Sequence, residues 1–152
     1  MKEVLFVFLL MLSLDVYAQH NWESDGWDKE SLGFGCSVGG EMTGPVLRMT
    51  RFLVERDFEN IRLTLNSSVG ADQFLAAYVL GRLGERKEVV MTTQELNRIS
   101  EIKESDQRVP VCEGCTYWDE VPLKNLFHKN ETININAKYW FDTYYKRHLK
   151  RK

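Results

Sequence analysis

Residues 71–84, Ala-Asp-Gln-Phe-Leu-Ala-Ala-Tyr-Val-Leu-Gly-Arg-Leu-Gly, decide how the rest of the chain is read. On a helical wheel Phe74, Leu75, Ala77, Tyr78, Val79, Leu80 and Leu83 take up most of the circumference. A helix that is apolar nearly all round belongs in an interior. Asp72 in its first turn suits the positive end of the helix dipole, and Gly84 is placed to end it in a left-handed turn. The stretch is therefore expected to be the central helix, with the other elements packed around it.

On the N-terminal side, residues 66–70 read as a turn. Asp57 caps a short helix striped by Phe58, Ile61 and Leu65. A longer helix opens at Thr43-Gly44-Pro45, where Thr43 can cap and Pro45 suits the first turn. Val46, Met49, Phe52 and Leu53 give it an apolar face. On the C-terminal side, Thr92-Thr93-Gln94-Glu95 is a capping box. It starts a helix striped by Leu96, Ile99 and Ile102. Residues 109–118 are extended or turning, because Pro110 disfavours helix at the residue before it. Pro122 opens another short helix, and a last one runs over residues 132–149. No stretch alternates apolar and polar residues long enough to demand a sheet. The expected fold is all-α: a single domain of packed helical hairpins, with an irregular arm over residues 19–42 and the helical domain over 43–152.

The segment from Leu75 to Gly84, with its small alanines and Leu-Gly-Arg-Leu-Gly ending, resembles the second helix of HEAT-type repeats. Residues 58–65, with Ile61-Arg62, resemble the helix that enters such a repeat, and the likeness extends over residues 44–104. The resemblance implies helical hairpins that bury their faces by stacking on neighbours, and a surface that binds proteins rather than a catalytic centre.

The first 18 residues read as a targeting segment. Lys2 precedes an apolar run over residues 4–12, and Val16-Tyr17-Ala18 fits a small-x-small cleavage site, so cleavage is expected after Ala18. The run is too short to span a bilayer, which takes about 20 residues. The expected location is secreted or periplasmic. Removing Lys2, Glu3 and Asp15 with the leader leaves 19 basic against 20 acidic residues. That balance argues against nucleic acid as a partner. The tail does concentrate Lys146, Arg147, Lys150, Arg151 and Lys152. Contact with an anionic membrane surface is one reading of it, and a solvated helix end is the favoured one.

Three cysteines in an exported chain allow one disulfide and leave one thiol. Cys112-Glu113-Gly114-Cys115 lacks the His that haem attachment needs, since Thr116 follows, and lacks the strand-to-helix setting of a thioredoxin pair. A disulfide is preferred, either between Cys112 and Cys115 or from Cys36 to one of them. Zinc held by Cys36, Cys112, Cys115 and His128 is the alternative, and otherwise no cofactor is expected. Gly35-Cys36-Ser37-Val38-Gly39 matches the nucleophile-elbow pattern but has no strand, helix or downstream Asp and His in the required order. No other catalytic constellation stands out, so an enzyme is not expected. The arm's Trp22, Trp27, Leu32 and Phe34 are expected to fold back over the body. The last helix carries more aromatics than one buried stripe needs. Its edge at Trp140, Tyr144 and Tyr145, next to Lys146 and Arg147, is the candidate partner surface. The expected function is an exported interaction module; the alternative is a small metal-binding or thiol-redox protein using the Cys-x-x-Cys.

Overall fold

The computed structural model describes residues 28–150, so the leader, the predicted cleavage site, Trp22 and Trp27 lie outside the described residues. Five α-helices surround or border one another: α1 Gly44–Glu55, α2 Phe58–Thr64, α3 Gly70–Glu85, α4 Thr93–Lys103 and α5 Thr132–Tyr144. Between α4 and α5 come strands β1 Arg108–Glu113 and β2 Tyr117–Pro122 and a 3-10 helix Leu123–Phe127. A π-helical turn, Tyr145–Leu149, continues α5.

Helix α3 is the centre. Eleven of its sixteen residues are buried, from Gly70 to Leu83. It packs against α1, α2, α4, β1 and the 3-10 helix. Gly70 makes the approach to β1 possible, since a Cβ there would stand 2.6 Å from Val109 Cγ2. Gly84 does not form the left-handed turn expected of it. The helix runs on to Glu85, and Lys87 takes the positive φ of 58°. Gly84 instead gives room to Met91, whose Cε would lie 2.7 Å from an added Cβ. Asp72 faces the dipole as expected but also has a specific partner: Arg48 Nη2 donates to it at 2.8 Å.

Local rules account for the helix starts. Pro45 occupies the first turn of α1. Asp57 accepts from the Asn60 N–H at 3.1 Å, and the Thr92–Glu95 box is complete. The Arg62 guanidinium, bonded to Glu95, holds that carboxyl below the usual range and ties α2 to α4. Thr43 sits at the N-cap of α1, but its hydroxyl is spent elsewhere: it accepts from the Gly33 N–H and donates to the Gly33 carbonyl, joining the arm to the helix start.

The all-α expectation is corrected. Residues 108–122 form an antiparallel hairpin with Val109 opposite Val121 and Glu113 opposite Tyr117. A three-residue loop closes it, with Gly114 at a φ of 59° that suits glycine. The strand signal is masked because β1 is not a half-buried, alternating strand. Val109, Val111 and Cys112 are all buried, covered by α3 on one side and by the arm along the edge. A lone hairpin is marginal in water, so the pairing is stabilised by that cover. The HEAT-like arrangement is corrected with it. The helices ring α3, and after α4 the chain turns into a sheet rather than into another hairpin of helices.

Residues 28–42, the described part of the arm, fold back over the body. They run beside β1 as an irregular third strand: the Leu32 N–H donates to the Pro110 carbonyl at 2.8 Å, Cys112 N–H to Leu32 at 3.0 Å, and Gly114 N–H to Gly35 at 2.8 Å. Pro110 fits here because its missing N–H lies on the arm side, where β2 needs nothing from it. The chain then doubles back, Cys36 pairing with Glu41. The Cys36–Cys112 disulfide, across 76 residues of sequence, bonds arm to strand. Gly33 sits against that bond. An added Cβ would overlap both sulfurs and stand 2.9 Å from the Cys112 carbonyl oxygen. Gly33→Ala is therefore expected to cost about 2–3 kcal/mol, or to block the bridge, whereas Gly35→Ala, with its nearest atom at 3.8 Å, should be mild. Thermal unfolding of the two variants, with thiol counting, checks this; equal effects would contradict it.

Candidate functional site

The arm, the hairpin turn and α5 meet at a cleft of about 380 Å³. Phe34 and Gly35 come from the arm, Met42 from its return, and Glu113 and Gly114 from the turn. Asn136, Tyr139, Trp140, Thr143 and Tyr144 come from α5. The α5 residues recur at three- and four-residue spacing, so one helical face supplies one wall. The opposite wall is the arm, held on β1 by backbone hydrogen bonds and by the disulfide.

Each candidate from the sequence has a definite place. Trp140 is 4% exposed, donates from Nε1 to Thr50 Oγ1 at 2.9 Å and packs on Phe34 with ring centroids 5.6 Å apart. It is a strut between α5 and α1 that shows one edge to the cleft. Tyr145 is 8% exposed. Its hydroxyl donates to Glu88 at 2.8 Å, and Arg86 lies 3.9 Å over its ring. Arg86 also bonds Asp142 at 2.6 Å, so this side of α5 is committed to holding the helix against the end of α3. Tyr144 is half-buried, lines the cleft and stacks on His148. Lys146 and Arg147 are exposed on the π-helical turn beyond it.

Phe34, Met42, Glu113, Asn136 and Tyr139 complete the cleft; the sequence puts Phe34 in the arm, Glu113 inside the Cys-x-x-Cys and Tyr139 among the tail aromatics, and makes none of the five a site residue. Tyr139, 78% exposed, is the most accessible aromatic of α5. Its position three residues after Asn136 and four before Thr143 is the available signal, since those residues share a helical face. Glu113 carries the one carboxylate of the lining. Asn136 Nδ2 donates to its Oε1 at 3.0 Å. Burial pushes its carboxyl up, Asn136 opposes this, and the neighbouring Glu131 adds to the rise.

The sign of that effect is testable. A raised carboxyl in the folded state means that ionising Glu113 costs stability, and the cost is present at neutral pH and absent once the group is protonated. Glu113→Gln is expected to leave the protein as stable or up to about 1 kcal/mol more stable at pH 7, the gain vanishing near pH 3. Denaturant unfolding at the two pH values measures it, and a loss at pH 7 would show that the carboxylate is instead held by a favourable contact.

The sulfur candidates separate. Cys112 is bonded to Cys36, while Cys115 is exposed on the turn as a free thiol, its sulfur 3.6 Å from the Ser37 carbonyl. His128 is exposed at the end of the 3-10 helix. The four zinc candidates therefore do not form one set, because the bridge occupies two of them. Among the described residues no group of three or more His, Cys, Asp or Glu is arranged to hold a metal ion. Ser37 of the elbow-like pattern lies in the tight turn after the bridge, with a φ of 60°.

A larger groove, about 870 Å³, runs between α2 and α4. Its polar residues answer one another: Arg62 bonds Glu95 and the Val90 carbonyl, and Arg98 bonds Glu101 and the Leu65 carbonyl. It reads as a brace between helices. The cleft beside α5 is the better site because it is apolar, concave and carries one unbalanced polar group. No family model, no curated protein and no solved structure matches the chain.

A buried disulfide is compatible with an oxidising compartment. Among the described residues no helix is long and apolar enough to cross a membrane.

Proposed function

We propose that this chain is an exported, non-catalytic interaction module, directed to the periplasm or the cell exterior by residues 1–18, and that one protein partner docks in the cleft beside α5. The observation that carries this reading is Tyr139. A large aromatic side chain stands 78% exposed at the lip of an apolar, concave site lined by Phe34, Met42, Trp140 and Tyr144. Buried-on-binding aromatics next to a pocket are the usual energetic centre of a protein interface. The disulfide supports export, and it also weighs against the thiol-redox alternative, because Cys112 is bonded to Cys36 and the Cys-x-x-Cys holds no dithiol.

The test is co-purification from the natural host with a C-terminal tag. Tyr139→Ala is the informative variant, since an exposed side chain can be removed with a change of stability within about 0.5 kcal/mol. Trp140→Ala is not, because its loss would break the strut to α1. A stoichiometric partner that is retained by the native protein and by Leu63→Ala, on the far groove, but lost on Tyr139→Ala is the expected result. A partner indifferent to Tyr139 would move the interface elsewhere.

A further inference from the structure

Glu113 places a carboxylate on the wall of an otherwise apolar cleft. Its hydrogen-bond donor, Asn136, is neutral. None of the ion pairs found among the described residues includes it. Among the described residues the one charge acting on it is a second acid, Glu131 at the start of α5. Lys146 and Arg147, beyond Tyr144, are not among the charges that reach it. A half-buried carboxylate with no cation is a poor arrangement for the free protein and a good one for a ligand that supplies the cation.

We propose that the cleft receives a basic side chain, lysine or arginine, from a polypeptide partner, with its aliphatic stem against Phe34, Tyr139 and Tyr144 and its charged head at Glu113. Long basic side chains are built for such a site: the methylenes cover apolar surface while the head stays with a carboxylate. The cleft's volume of about 380 Å³ is ample for one such side chain. A partner acid would meet Glu113 and Glu131 with like charge, and a purely apolar side chain would bury Glu113 further without pairing it. The raised carboxyl of Glu113 fits the same picture, because a cation brought beside it would offset the burial that disfavours its charge. This inference rests on the cleft being the recognition surface, and the experiment separates the two.

The probes are capped tripeptides Ala-Arg-Ala, Ala-Lys-Ala, Ala-citrulline-Ala and Ala-Glu-Ala. They are titrated into the oxidised protein while the NMR signals of Gly114, Asn136 and Tyr139 are followed. The expected result is a shift of these signals by the arginine or lysine peptide with a dissociation constant on the order of 1–10 mM. Citrulline, the same shape without the charge, should bind at least about fivefold more weakly. Glu113→Gln should erase that preference without lowering stability at pH 7, a combination that a merely structural residue would not show. Tyr139→Ala should weaken both the charged and the neutral peptide. Equal binding of arginine and citrulline, or a preference that survives Glu113→Gln, overturns the choice of a cation while leaving the cleft as a binding site. Tighter binding of the glutamate peptide overturns it in favour of an acidic partner. No shift with any peptide up to about 20 mM, a limit still weaker than typical fragment affinities, overturns both the cation and the cleft.

Discussion

Phe74→Ala is expected to remove about 3–5 kcal/mol of folding stability. Phe74 is fully buried in the middle of α3, its ring centroid 4.9 Å from that of Phe127 and 5.8 Å from that of Tyr78. Truncation loses the transfer energy of the ring and leaves a void beside Phe127 of the 3-10 helix and Tyr78 of α3 itself. Since small domains are stable by about 5–15 kcal/mol in total, this is a large share of the stability. Urea denaturation measures it. Leu96→Ala is the matched control: the sequence puts Leu96 on the apolar stripe of α4, yet it is 50% exposed and should cost well under about 1 kcal/mol. Similar costs at the two positions would mean that α3 is not the centre of the fold.

The second large effect is expected from the disulfide. Replacing Cys36 and Cys112 together by Ser opens a closed loop spanning 76 residues. In the chain-entropy account that lowers stability by up to about 4.5 kcal/mol. Thermal and denaturant unfolding of the double variant, and of the native protein with and without reductant, should agree. Cys115→Ser should change neither, because that thiol is exposed and outside the disulfide. If Cys115→Ser destabilised as much as Cys36→Ser, the bridge would join those two residues, and if Cys115→Ser destabilised while Cys36→Ser did not, it would lie within the Cys-x-x-Cys. The double variant should also blunt the cleft, since Phe34 and Gly35 hang on the arm that the bridge holds against β1.

These two sites differ in how readable they were. Phe74 sits in a run whose composition alone marks it as interior, so its burial follows from a property of consecutive residues. The bridge depends on which of two partners Cys36 meets, and nothing near Cys36 in the chain states that choice. The same division runs through the rest of the molecule. The caps at Asp57 and at Thr92 with Glu95 appear where the local pattern puts them, because a cap is an exchange of hydrogen bonds within four residues. Thr43 fails the same rule because a tertiary neighbour, Gly33, takes its hydroxyl.

The hairpin is hidden from the sequence for a related reason. Alternation is the signature of a strand with one wet face, and β1 is covered by α3, β2 and the arm together. Its Val-Pro-Val-Cys core therefore reads as neither strand nor helix. Strand pairing also draws its stability from chain segments brought from elsewhere, here Leu32 and Gly35 on one side and residues 117–122 on the other.

In the candidate site the helical face of α5 was legible as aromatic excess, and its assignment was not. Trp140 and Tyr145 look like surface candidates by count, but Thr50 and Glu88 claim their polar atoms and draw them inward. Tyr139, passed over, is the one left outside. By itself, then, the amino-acid sequence determined the helix starts, the central place of α3 and the presence of one spare cysteine, all set by residues within a turn or two of each other. Only the tertiary structure decided the sheet, the partner of Cys36 and the shape of the cleft, because each is a meeting of segments far apart in the chain, and which segments meet is settled by the packing of the whole.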